Sequence, residues 1–242
     1  MRLLKLQYNY TLTKKVRLIS AVLIALTWIV LILQSGLLEN GSNLAYNREQ
    51  LINSFLYDGF NIIKIVGVLY SMLLSIYVFY LNKYDVFIIP RKSRIKTILS
   101  KIAIVLFLEG LFILYLFLFY AIIWGVLDYT VTIDEVLKYL SYLTVLNIYY
   151  ALFSILLIVL FTSIFSVVIP FIGYLISNLS MDYGISISEL DTSSMFLNLF
   201  FPDLLIFNKE IYYIYGIVIV LDISMIILVL IIIKYKVEDI IT

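Results

Sequence analysis

Long apolar runs separated by short polar islands make up the whole of this chain. A run of about twenty apolar residues matches the hydrocarbon thickness of a bilayer when helical, so each reads as a membrane-crossing helix. The pattern predicts six spans, at 18–38, 60–81, 102–126, 139–161, 164–177 and 211–233. The fourth and fifth are cut from one stretch, Tyr139 to Ser177, that carries no charge. As a single helix it would measure about 58 Å, twice the apolar thickness available. A tight turn near Thr162–Ser166 is therefore expected, with Pro170 early in the fifth span.

The polar islands fall into two kinds. Residues 39–59 and 127–141 read as loops, the first with Glu39, Arg48, Glu49 and Asp58, the second with Asp128, Asp134 and Glu135. A third island after residue 177 is also acidic and encloses Met195–Phe207, an apolar piece broken by Pro202. That piece is too short to span, so a re-entrant or interfacial hairpin is expected. The other kind is basic. Asn82 to Lys101 carries Lys83, Arg91, Lys92, Arg94, Lys96 and Lys101 against the single acid Asp85. Each Lys or Arg at mid-bilayer would cost roughly 2.5–3.5 kcal/mol on insertion scales, so this segment is read as a loop outside the hydrocarbon. Pro90 suits the first turn of a helix, and Arg91–Lys101 reads as a short basic helix with Ile95, Ile98 and Leu99 on one face. The N-terminal segment, residues 1–17, is basic too and is expected to lie as an interfacial helix.

Charge fixes the orientation. Of 17 basic residues, five lie before the first span, six in the central island and two after the last span. Basic residues collect on the cytoplasmic side, so both termini and the central island are placed inside. Eleven of the 16 acids then fall outside. The expected class is an all-α integral membrane protein, one transmembrane domain over residues 1–242, with N and C termini in.

Composition agrees and narrows the chemistry. The chain is 64% hydrophobic and 14% charged, with mean hydropathy +1.09 and a net charge of only +1. The near-zero net charge argues against nucleic acid as a partner. With no cysteine and no histidine, thiol chemistry, disulfides, His-ligated metals and His-dependent triads are excluded, so no metal site and no catalytic residue is expected. Four polar residues inside the runs are candidates for a path or gate: Lys64, Glu109, Asn147 and Asp222. The plainer reading makes them interior groups that fix helix packing. Gly67, Ser71 and Ser75 recur every four residues and form one small-residue stripe, read as helix packing within the chain before a dimer face.

Ile89-Pro90-Arg91-Lys92-Ser93-Arg94, followed by Leu99-Ser100-Lys101, resembles the Pro, Ser-Arg and Leu–Lys passage between spans 2 and 3 in the membrane subunits of type-2 ABC exporters. The order of parts along the chain is similar as well. The resemblance implies that residues 84–97 form a coupling helix docked on a separate ATPase subunit. Asp85, Pro90, Arg91, Lys92, Ser93, Arg94, Ile95 and Lys96 would then be the coupling residues. It further implies two ATPase copies carrying ATP and Mg, a second permease, identical in the simplest case, and no cofactor on this chain. No phosphate-binding G-x-x-x-x-G-K-[ST] loop occurs here, in keeping with a non-enzymatic transport subunit. Richness in Ile, Lys, Asn and Tyr points to the plasma membrane of a low-GC Gram-positive bacterium. Small permeases of that setting resemble exporters of, or immunity pumps against, amphipathic and antimicrobial peptides, the phenol-soluble-modulin exporter type being the specific expectation. The alternatives are a sensor or channel subunit, which needs no nucleotide-binding companion, and an intramembrane enzyme, for which few residues are available.

Overall fold

The computed structural model describes residues 13–35, 48–81, 94–127, 132–161, 163, 165, 168–172, 174 and 211–238. Among them there are helices and no strand. Helix α1 is Lys14–Gln34, α2 is Arg48–Ser75, α3 is Arg94–Leu127, α4 is Ile133–Phe161 and α5 is Ile211–Glu238. Helix α2 continues without a gap into a π-helical segment, Ile76–Leu81. Four helical stretches are long and apolar enough to cross a membrane: Lys14–Gln34, Asp58–Tyr80, Lys96–Leu127 and Val136–Phe161. A shorter apolar stretch, Val218–Ile232, lies within α5. The chain therefore has the character of a multi-pass membrane protein.

Helices α1 to α4 run up and down. Tyr77 and Tyr70 of α2 meet Thr13 and Ser20 of the α1 segment, while Gly59 lies beside Leu31, so α1 and α2 are antiparallel. Helix α3 runs against α2 in the same sense: Lys101 meets Val78, Glu109 meets Ser71, and Phe60 meets Tyr120. Helix α4 is parallel to α2. Ser71 reaches the carbonyl of Asn147 and Ser75 that of Ala151, the same sequence offset of 76 in both. Helix α4 is the hub, packing against α2, α3 and α5. Helix α1 sits at the edge, where its long apolar run buries only Val16, Thr27 and Leu31. Its exposed leucines and isoleucines suit lipid, which solvates them as well as protein does.

Several expectations change. Residues 48–59, read as a loop, are the first three turns of α2. Hydropathy marks where hydrocarbon begins, not where the helix begins, and this stretch holds good helix formers such as Arg48, Glu49, Gln50 and Leu51. For the same reason α4 starts at Ile133, inside the expected 127–141 loop. The uncharged run does break after Phe161, where α4 ends. Of the expected fifth span only 165, 168–172 and 174 are described, with 168–172 helical. Residues 14–17 belong to α1 and not to a separate interfacial helix; the rest of that segment, and the hairpin at 195–207, lie outside the described residues.

The stripe on α2 explains the close contact with α4. A Cβ added to Gly67 would come to 2.5 Å from Asn147 Oδ1 and 2.6 Å from Ile113 Cδ1. Gly110 on α3, by contrast, has nothing within 4 Å of such an atom. Gly67→Ala is expected to cost about 1–3 kcal/mol through overpacking, whereas Gly110→Ala should be neutral or stabilising by about 0.5–1 kcal/mol. Reversible unfolding in mixed micelles, followed by tryptophan fluorescence, measures both.

Candidate functional site

Two polar assemblies stand out from the apolar packing, one at an end of the bundle and one at mid-depth. The first gathers the start of α1, the end of α2 and the start of α3. Thr13 caps α1, its Oγ1 accepting from the Val16 amide, and also bonds the Tyr77 hydroxyl at 2.9 Å. Tyr77 lies on the π-helical end of α2. Two turns deeper along α1, Ser20 Oγ bonds the Val16 carbonyl at 2.8 Å and the Tyr70 hydroxyl at 3.1 Å. From the opposite side, Lys101 of α3 donates from Nζ to the Val78 carbonyl at 3.2 Å and lies 5.7 Å from the Phe79 ring centroid.

The chemistry of that last contact is direct. The final carbonyls of a helix have no amide partner and carry the negative end of its dipole. Lys101, only 7% exposed, places an ammonium on one of them and fastens the start of α3 to the end of α2. The π-helical turns Ile76–Leu81 widen this end of α2 just before residue 82. Lys14, Lys15, Arg17 and Lys96 are exposed at this same end, while Asp58 and Asp134 are exposed at the other, with Lys138 the exception in sign. Charge is therefore segregated along the bundle.

The second assembly lies between α2, α3 and α4. Ser71 donates from Oγ to Glu109 Oε1 at 2.6 Å, with the Gly67 carbonyl at 3.0 Å and the Asn147 carbonyl at 3.4 Å. Asn147 donates its Nδ2 to the Leu143 carbonyl at 2.7 Å. Ser71 and Asn147 are fully buried and Glu109 is 1% exposed. So the structure brings together three of the residues singled out in the sequence, plus Gly67 of the stripe. Ser75 stands one turn further, against the Ala151 carbonyl at 3.4 Å.

The remaining candidates sit apart from this cluster. Asp222 on α5 is nearly buried and faces Tyr149 of α4. Lys64, 4% exposed, extends over the Tyr174 ring with Nζ 5.7 Å from its centroid. Ser71, not Lys64, is the bonded partner of Glu109. Tyr174 packs edge-on against Tyr150, and Tyr150 against Tyr149, so Lys64 and Asp222 lie on either side of a tyrosine cluster.

Of the expected coupling residues, Asp85, Pro90, Arg91, Lys92 and Ser93 lie outside the described residues. Arg94 and Ile95 occupy the first turn of α3, and Lys96 is exposed just after them. Residues 94–101 thus begin the third long helix itself, without a break. Lys101, which reads in the sequence as one more loop cation, is a buried latch. Tyr77 and Thr13 escape a sequence reading altogether, since neither has a periodic signal.

Lys101→Met keeps the bulk and removes the donor. It should lower stability by about 1.5–3 kcal/mol, the scale of a hydrogen bond from a charged group, and speed hydrogen exchange in residues 76–81. Lys101→Arg should retain most of that protection. Exchange mass spectrometry of the chain in nanodiscs measures the comparison. In comparison with known proteins, no family model, curated sequence or solved structure matches this chain.

Proposed function

We propose that this chain is the membrane subunit of an ATP-driven exporter for hydrophobic or amphipathic cargo, energised by a separate ATPase that grips residues 82–101. The observation that carries the reading is the junction at the end of α2. There the basic island is bounded on one side by a π-helical exit and on the other by the Lys101 latch. A loop that served only to orient the chain would need positive charge alone. A loop that receives force needs stiff attachments to the spans, and two helix ends bonded to each other provide them.

In this reading six spans cross the plasma membrane of a Gram-positive bacterium with both termini inside. The segregation of described charge supports that orientation. Closure of two ATPase subunits around ATP and Mg would push on the islands of two permeases, the second an identical copy in the simplest assembly. Because α3 begins at Arg94 and runs unbroken to Leu127, displacement at its basic start reaches the far end of the bundle as a rigid-body tilt. Cargo with apolar surface suits a body whose interior polar groups are few. The resemblance of residues 89–101 to the coupling passage of type-2 exporters supports the same assignment. A sensor or channel subunit would need no such attachment.

Reversing charge together at Arg91, Lys92 and Arg94 should remove a nucleotide-hydrolysing partner from the purified complex by tenfold or more, with insertion of the chain unchanged. Affinity purification through a C-terminal tag, with mass spectrometry of what accompanies it, reads both quantities. Equal recovery of the partner from the variant would refute docking on this loop.

A further inference from the structure

The cluster between α2, α3 and α4 has too few hydrogens for its oxygens. Three side-chain acceptor oxygens belong to it, both carboxyl oxygens of Glu109 and Oδ1 of Asn147, while the nearby carbonyls of Gly67 and Asn147 lie inside α2 and α4 and accept the amides of their own helices. The Ser71 hydroxyl brings a single hydrogen, and its shortest contact, 2.6 Å, commits that hydrogen to Glu109 Oε1. The Asn147 amide gives nothing to the cluster, because Leu143 takes Nδ2. Turning the amide over would set two acceptors against each other at 2.7 Å, so this neighbour fixes its orientation. Glu109 Oε2 and Asn147 Oδ1 are left buried with no hydrogen-bond partner among the described residues.

Both orphaned oxygens lie within a turn of Ser71. Asn147 Oδ1 occupies the space that the missing Cβ of Gly67 leaves, one turn before Ser71 on α2. Ile113, one turn after Glu109 on α3, closes the same space from the other side. An ionised carboxylate here would be a buried charge with one hydrogen bond to offset it. Among the described residues, charged groups on the neighbouring elements do not approach it. Helix α2 presents Ser71 and Tyr70 to it, and its Lys64 is seven residues, roughly 10 Å, along the helix and turned over Tyr174. On α3 itself, Lys101 is eight residues away, roughly 12 Å, and bonded to Val78. Helix α4 presents Asn147. From α1 only Ser20 is reached, through Tyr70, and Asp222 of α5 faces Tyr149.

We propose that Ser71, Glu109 and Asn147 form a proton-binding site, with Glu109 as the carrier. One hydrogen added to the Glu109 carboxyl removes the buried charge and supplies the donor that the cluster lacks. No larger cation is needed to satisfy it. In this packing of α2, α3 and α4 each chain holds one proton at Glu109. This holds whether or not the chain serves an ATPase.

Infrared difference spectroscopy of the full chain, purified and placed in phosphatidylcholine vesicles at neutral pH, tests it. Wild type minus Glu109→Gln should show a protonated-carboxyl stretch. Asp222→Asn should leave that stretch in place, and Ser71→Ala should shift it by removing the bond to Oε1. Because Ser71→Ala is measured on an intact carboxyl, the test survives if Glu109→Gln fails to fold. A carboxylate band in place of the carboxyl band, in wild type at neutral pH, would overturn the proposal. So would conversion of the carboxyl band to carboxylate on adding sodium at constant pH, which would make the ligand a metal cation.

Discussion

Close approach of α2 to α4 at Gly67 is the contact on which the rest of the structure depends. Without a side chain there, Asn147 can lay its amide against the backbone of α2, and Ser71 and Ser75 come within reach of the α4 carbonyls. The same approach aims the Ser71 hydroxyl at Glu109 and so draws α3 into the group. In a bilayer apolar side chains gain little by leaving lipid for protein, so helices are held by close packing and by polar groups with no other partner. A three-helix centre built from one glycine, one serine, one asparagine and one glutamate fits that constraint. Aromatic contacts then fill the space around it, as where Tyr70 stacks on Phe112 at 3.8 Å between centroids.

The bundle ends obey a different rule. There the unsatisfied groups are backbone carbonyls and amides, and side chains from neighbouring helices serve them. Thr13 caps α1 while touching Tyr77, and Lys101 bonds Val78 while beginning the third long helix. Both bonds converge on the π-helical turns that lead into the basic island. Mid-depth packing and the end junction are linked through α2 and α3, which carry parts of both. The start of α3 and Glu109 lie on the same unbroken helix.

Much of this was legible in the sequence, and the rest was not for physical reasons. Uninterrupted apolar length is the strongest signal a membrane chain gives, and it located the four long apolar helices and the break after Phe161. It could not locate helix starts such as Arg48 and Ile133, because helices extend past the hydrocarbon into water, where hydropathy is silent. The four-residue spacing of Gly67, Ser71 and Ser75 identified a packing face but not its occupant. Glu109 and Asn147 were visible as polar residues in apolar runs, but their meeting at Ser71 depends on the parallel register of α2 and α4, which no local pattern encodes. Lys101 misled because a cation near a run of cations reads as solvated. Its direction is set by the helix that carries it.

The proposed exporter role requires that the basic island face the cytoplasm, where the proposed nucleotide-hydrolysing partner would reside. The chain has no cysteine, so a single Ser93→Cys substitution gives an unambiguous label site. Treating intact cells and inverted membrane vesicles with a membrane-impermeant maleimide measures the side directly. Labelling in inverted vesicles with protection in intact cells is the predicted result. Labelling of the introduced thiol from outside intact cells would contradict it.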